Sequence, residues 1–323
     1  MTLFRAEKRM MTLPQRKELD TACLLLYSLA MVKRTAALCI ALLLNACGEG
    51  DSPVMPETAA QMYEQARRLL QPGVEQNESD FAGALEWLKK SAQAGYLQAQ
   101  TDLAGIYLEG GKGVQANAQE AYRWFCKAAE QGSREADVFI GALLYEGKGV
   151  AKDVTAALVH WRRAAEAGIP EAQYRLGHCL AQTEEGVQEG AEWLKKAALA
   201  GGGRAVAAAA RDLGYLLIEG SHGIPANRRE AARWYALAAE GGDASSRYVY
   251  ALMLMTGDPM PQDTEAGLAQ LRIAAGQDYA PAIAALIRAL RSGENAAASE
   301  QEAAAWSHRL EELLNRQPAD SDQ

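Results

Sequence analysis

The chain has 323 residues, 41 of them acidic and 33 basic, with a formal net charge of −8 and a hydrophobic fraction of 49%. That fraction is typical of an ordinary folded protein, which sets aside a fibrous or low-complexity chain. The acidic balance argues against a protein that holds nucleic acid or an anionic membrane by charge, because both need basic stripes and the sequence offers none.

MVKRTAALCIALLLNAC at 31–47 places Lys33 and Arg34 before an apolar run and small Ala46 before Cys47, the layout of a secretory signal. The run is shorter than the about 20 apolar residues of a comfortable membrane span. A signal begins near a chain start, so residues 1–30 are read as an over-extended gene start and Met31 as the true one. Leu44, Asn45, Ala46 and Cys47 resemble the lipobox of bacterial lipoproteins, with Asn45 departing from the small apolar residue usual there. The resemblance implies cleavage between Ala46 and Cys47 and a lipid on Cys47. Gly48 in place of Asp after the cysteine implies sorting to the outer membrane, on its periplasmic face. Two alternatives stay open: a leading apolar helix that anchors or is merely cleaved, and, if residues 1–30 are genuine, an uncleaved anchor in which TACLLLYSLAMV at 21–32 joins the run. Residues 1–46 carry seven basic and three acidic side chains, so losing their net +4 takes the chain from −8 to about −12. GEGDSPVMPE at 48–57 reads as a polar tether between lipid and first helix.

From residue 58 to 315 the chain repeats itself. EAYRWFCKAAEQG at 120–132 returns as EAARWYALAAEGG at 230–242, with further copies at 84–95, 156–168, 190–201 and 303–314. The register positions are Trp87, Trp124, His160, Trp193, Trp234, Gln270 and Trp306, spaced by 37, 36, 33, 41, 36 and 36 residues. A period near 36 marks an array of supersecondary units. The remaining tryptophan, Trp161, stands beside the register at His160. Before each of these helices lies another with apolar residues at spacings of three and four, as in Ala99, Leu103, Ala104 and Tyr107, so each unit is helix A, a Gly-rich loop, and helix B. The spacing of 33 is read as a shortened loop at 181–189 and the spacing of 41 as an insertion at 201–208.

Seven residues before each register position stand Asp80, Asn117, Asp153, Gly186, Asn227, Asp263 and Ser299, all residue types that suit an N-cap. Glu120, Glu230 and Glu302, three residues further on, predict capping boxes. Gly95, Gly132, Gly168 and Gly201 close helix B in a left-handed conformation. Alanine pairs at 128/129, 164/165, 197/198 and 238/239 let helices approach closely, and the register tryptophan is expected to fill the wider part of that groove, so that Trp124→Ala costs about 3–5 kcal/mol. Trp87, Trp124, Trp161, Trp193, Trp234 and Trp306 are accordingly the structural repeat positions.

This unit resembles the Sel-one-like repeat, within the tetratricopeptide-like superfamily, over residues 58–315. The resemblance implies an all-α, right-handed α-solenoid of about seven helix-turn-helix repeats, whose concave face of A helices scaffolds a protein partner. Residues 316–323 are expected to form a disordered tail. The combined reading is a periplasmic lipoprotein scaffold for an envelope complex, held to the membrane by its lipid. The alternative is a soluble adaptor or regulator, secreted or cytosolic, for example in virulence or envelope-stress signalling.

No pattern for chemistry emerges. His160, His178, His222 and His308 are scattered without metal-ligand spacing, and there is no H-E-x-x-H, G-x-S-x-G or S-x-x-K. GGKGV at 110–114 lacks the spacing of a phosphate loop, and the repeat accounts for its glycines. No catalytic residue, cofactor, metal, nucleic acid or small-molecule substrate is therefore expected. Of five cysteines, Cys23 and Cys39 leave with the leader and Cys47 takes the lipid. Cys126 and Cys179 lie two repeats apart, beyond the reach of a disulfide, and are expected as free, largely buried thiols.

Overall fold

The computed structural model describes residues 58–70, 78–111, 113–201, 203–220, 223–292 and 296–315. The expectations for residues 1–57, including Ala46 and Cys47, for His222 and for the tail fall outside them. Among the described residues the chain forms fourteen helices and no strand, a helical repeat solenoid of seven A/B pairs. They are α1 (Ala59–Leu69) with α2 (Glu78–Gln93), α3 (Leu97–Glu109) with α4 (Ala118–Glu130), α5 (Arg134–Glu146) with α6 (Val154–Glu166), and α7 (Pro170–Leu180) with α8 (Val187–Leu199). The series continues with α9 (Arg204–Glu219) and α10 (Arg228–Glu240), α11 (Ala244–Thr256) and α12 (Thr264–Gly276), and α13 (Ala280–Ser292) and α14 (Ala296–Asn315). Two compact units divide within α6, one ending at His160 and the other beginning at Trp161. In the first, α1 to α5 pack in succession. In the second, α7 to α14 do so, and α7 also meets α9, as α11 meets α13.

Side-chain size along helix B explains the close packing. Three residues before the register stand Ala84, Ala121, Ala157, Ala231 and Ala303, all buried, with Gly190 and Gly267 at the same place. Four and five residues after it come the predicted alanine pairs, joined by Ser91/Ala92 and Ala274/Ala275, all buried. Helices α7 and α8 approach closely through glycines. A Cβ on Gly177 would sit 2.8 Å from Leu194 N, and one on Gly190 2.5 Å from Ala181 N. No larger residue fits there without separating the backbones.

The register tryptophans are not the deepest residues. That place belongs to the residue after the register: Leu88, Phe125, Trp161, Leu194, Tyr235 and Leu271 are 0–6% exposed. Trp124 is buried at 9%, whereas Trp87, Trp193, Trp234 and Trp306 are half-buried. A helix turns about 100° per residue, so the small position, the following residue and the alanine pair share one face, with the register at its edge. The six tryptophans thus divide into Trp161 and Trp124 in the core and four at its margin. Three of the register rings carry the ammonium of the lysine three residues on: Lys90 lies 4.6 Å from the Trp87 centroid, Lys127 4.1 Å from Trp124 and Lys196 3.8 Å from Trp193.

Four helix B N-termini are capped by side chains. Asn117 accepts from Glu120 N at 3.1 Å, Asp153 from Ala156 N at 2.9 Å, Asn227 from Glu230 N at 3.1 Å and Asp263 from Ala266 N at 2.8 Å. Asp80 and Ser299 are corrections. They lie inside α2 and α14, which start earlier, at Glu78 and Ala296. In α14 the run Ala296–Ala298 has the highest helix propensity and extends the helix backwards; in α2, Glu78 suits a first turn. The capping boxes also differ from expectation. Glu230 accepts from the Asn227 side chain at 3.0 Å, Glu120 pairs with Arg123 at 2.8 Å and Glu302 with Arg272 at 2.7 Å. A reciprocal box forms instead between Thr58 and Gln61, ahead of α1. Gly95, Gly132, Gly168, Gly201 and Gly242 end helix B at φ 76–94°, and in the sixth repeat Asp278 takes their place at φ 60°.

The insertion at 201–208 is helix rather than loop from Arg204 onward. It lengthens α9 to 16 residues, and Ala205 through Ala210 are all buried. An apolar run with Ala propensity and neighbours on every side favours helix over loop. The shortened repeat loses residues from helix as well as loop, since α7 has 11 residues where α3 and α5 have 13.

Candidate interaction surface

Helix A carries a polar position that sequence reasoning missed, five residues after the helix-ending glycine. In three repeats it donates back to the last turn of the preceding helix B: Gln100 Nε2 to Ala92 O at 3.1 Å, Gln173 Nε2 to Ala165 O at 3.2 Å, and Arg247 Nη2 to Ala239 O. Each bond adds a second donor to a carbonyl of the last turn that already accepts from the N–H of the closing glycine, Gly95, Gly168 or Gly242. Gln131 Nε2 donates in turn to Gln100 Oε1 at 2.7 Å. In the remaining repeat of this set the position is Asp137, which is fully buried. It accepts from Arg134 at 3.1 Å and pairs with His160 Nδ1 at 2.8 Å.

His160 and Gln270 are the two register positions without tryptophan, and each pairs with this polar residue. Arg247 Nη1 donates to Gln270 Oε1 at 2.8 Å. Both copies thus exchange an apolar margin for a polar, hydrogen-bonded pair. The fixed offset from glycine was a readable signal, but the pairing across about 23 residues needed the fold.

One face of the A helices gathers charge. In the first unit, Asp102 of α3 accepts from Tyr63 Oη at 2.8 Å and from Gln98 Nε2 at 3.2 Å. In the second, Arg175 and Glu171 of α7 form a buried pair at 2.6 Å, with the guanidinium 5.8 Å from the Trp161 ring. His178 Nδ1 meets Asp212 Oδ2 of α9 at 2.7 Å, and its Nε2 lies 2.9 Å from the Gln182 amide. Arg211 reaches Asp212 at 3.1 Å and Asp243 at 3.5 Å, while Asp243 caps α11 through Ser246 N at 2.7 Å. A continuous polar chain therefore runs α7–α9–α11. One turn beyond Asp212, Tyr215 is 62% exposed.

Burial pushes the Asp212 carboxyl upward, but the His178 hydrogen bond and the Arg211 charge outweigh it and hold the group below its ordinary value. Burial likewise opposes the charge on Arg211, and Asp212 with Asp243 more than restores it. Tyr174, buried beside this chain, is raised well above its ordinary value chiefly by desolvation. Both His178 nitrogens are engaged, so the arrangement acts as a clamp between repeats rather than as a proton-transfer pair with a free base. Among the described residues no group of three or more His, Cys, Asp or Glu side chains could hold a metal ion. His308 pairs with Glu312 at 3.4 Å within α14. Cys126 and Cys179 are half-buried thiols outside any disulfide, and burial raises the Cys126 thiol.

The Sel1 repeat model matches residues 62–96, 97–133, 135–169, 170–202, 207–243 and 244–279, more than half of the chain. The chain belongs to the Sel1 repeat family. The seventh pair, α13/α14, lies beyond the matched residues. This Sel1 repeat protein is similar in fold to the crystal structure of a Sel1 repeat protein from Oxalobacter formigenes. Identity is 24% and the TM-score 0.65, over 78% of this chain and 99% of the other. It is also similar to a protective antigen present in uropathogenic Escherichia coli strains that displays an SLR fold. There identity is 24% and the TM-score 0.67, over 79% of this chain and 54% of the antigen. Comparison with curated proteins gave no significant match. In kind, a Sel1 repeat array is a scaffold for protein contacts, and its partner is decided by surface residues.

Proposed function

We propose that the protein is an outer-membrane-anchored periplasmic lipoprotein that scaffolds an envelope complex, holding a protein partner along the A-helix face of its second unit. The observation that carries the binding surface is Tyr215, 62% exposed on a helix whose neighbouring charges are already paired. A rigid aromatic beside ordered charges gives a partner large contact area at low entropic cost, the usual make-up of an interface hot spot. The anchored reading is supported by Leu44 to Cys47 and the Gly-Pro tether that follows. A lipid and a repeat face act together, since the membrane raises the local concentration of anything the face binds.

The test is a photo-reactive phenylalanine derivative placed at Tyr215 or, as a control, at exposed Val159 of α6, in cells making either native protein or Cys47→Ala. The proposal expects one adduct with an envelope protein from position 215, none from 159, and its loss in Cys47→Ala. Equal labelling from both positions would remove the A-helix face. An adduct unchanged by Cys47→Ala would favour a soluble adaptor instead.

A further inference from the structure

Three features combine at Trp234. At the register positions held by tryptophan, the residue three further on is Lys90, Lys127, Lys196 or Arg309, but after Trp234 it is Leu237. The lysine that covers Trp87, Trp124 and Trp193 therefore has no counterpart over this ring, and no described cation lies over it. The glutamate four residues before the register binds the indole in two copies, as with Glu189 and Trp193 Nε1 at 3.1 Å and Glu302 with Trp306. Beside Trp234 that glutamate, Glu230, is drawn to Asn227 Nδ2 at 3.0 Å, and Trp234 Nε1 has no hydrogen-bond partner among the described residues. Finally, a groove of about 380 Å³ opens along this face of α10, lined by Asn227, Arg229, Glu230, Arg233, Trp234 and Leu237. Arg229 and Arg233 are exposed and form no ion pair with any described residue.

From these observations we infer that the α10 groove is a second docking site, separate from the A-helix face and independent of the lipid anchor, for an acidic peptide segment of a partner protein. An apolar side chain of the peptide lies on the open Trp234 and Leu237 surface. Its neighbouring carboxylates meet Arg229 and Arg233, whose planar forks suit bidentate pairing. The indole N–H donates to a peptide carbonyl or carboxylate. Glu230 opposes an anion here, but it is tied to Asn227 and outnumbered by the two arginines. A chain of net charge −8 that leaves two arginines unpaired beside an open indole is complementary there to acidic peptide rather than to a polyanion, which needs a longer basic track.

Labelling the full chain with fluorotryptophan gives one ¹⁹F signal per tryptophan, with Trp234 assigned by Trp234→Phe. The probes are the acetylated, amidated peptides Asp-Leu-Asp-Leu and Lys-Leu-Lys-Leu and an oligothymidylate. A saturable shift of the Trp234 signal by the acidic peptide is expected, with at least tenfold weaker binding in Arg229→Gln/Arg233→Gln and none from the basic peptide. Leu237→Lys, which installs the cover seen over Trp193, should abolish the shift while the other tryptophan signals report an intact fold. No shift at millimolar acidic peptide, equal shifts from both peptides, an unchanged affinity in the double variant, or a larger effect from the oligothymidylate would each overturn the inference. None of these outcomes bears on Tyr215 or Cys47.

Discussion

Phe125 is 1% exposed at the centre of the helix B face and stacks on Phe139 with ring centroids 4.7 Å apart. Trp193, in the register position of its repeat, is half-buried, holds Glu189 through its N–H and lies under Lys196. The residue beside the register therefore outweighs the tryptophan that marks the repeat. Phe125→Ala is expected to cost about 3–5 kcal/mol and Trp193→Ala about 1–2 kcal/mol, read as shifts in urea midpoint. A larger loss for Trp193→Ala would return the core to the tryptophan row.

Asp212 gives a pH signature. Its folded pKa lies below the unfolded one, so its contribution is fully present above the unfolded carboxylate range and is lost as pH falls through the folded value. Asp212→Asn should cost about 2 kcal/mol at neutral pH, and the gap from native protein should close in acid. A melting-temperature gap that stays constant from pH 7 down to pH 2 would contradict the charged clamp. Trp124, the alanine pairs and the closing glycines were all legible as residues, because spacing alone exposes them. What spacing could not show is which neighbour of the tryptophan faces inward, or that His160 and Gln270 had found polar partners on helix A.

At the scale of the helix, the caps separate real termini from apparent ones. Asn117→Ala removes an observed bond to Glu120 N and should cost about 1 kcal/mol, whereas Ser299→Ala falls within α14 and should be neutral or slightly stabilising in thermal unfolding. Comparable losses from both would restore Ser299 as a cap. Asp278 closes α12 in the left-handed region, where glycine is strain-free and alanine is not. Asp278→Gly should therefore exceed Asp278→Ala in stability by about 1 kcal/mol, measured by chemical denaturation of the two variants side by side. Helix number and order follow from the period. Helix ends do so less well, because an alanine-rich flank such as 204–210 or 296–298 extends a helix past the boundary that the repeat register marks.

For the whole molecule, repetition explains both stability and reach. A lone helix pair cannot bury Leu194 or Ala238, but a succession of pairs can, and each added pair also presents one more set of surface positions. Two surfaces of the second unit depart from that average: the A-helix polar chain ending at Tyr215 and the uncovered Trp234 on α10. We propose that such a scaffold works at a membrane through a lipid on Cys47. The direct measurement is the intact mass of native protein and of Cys47→Ala, each isolated from fractionated cells. An acylated chain beginning at Cys47 in the outer-membrane fraction, with the variant unprocessed and absent from that fraction, is the result the account predicts. An unmodified native chain, distributed like the variant, would contradict it.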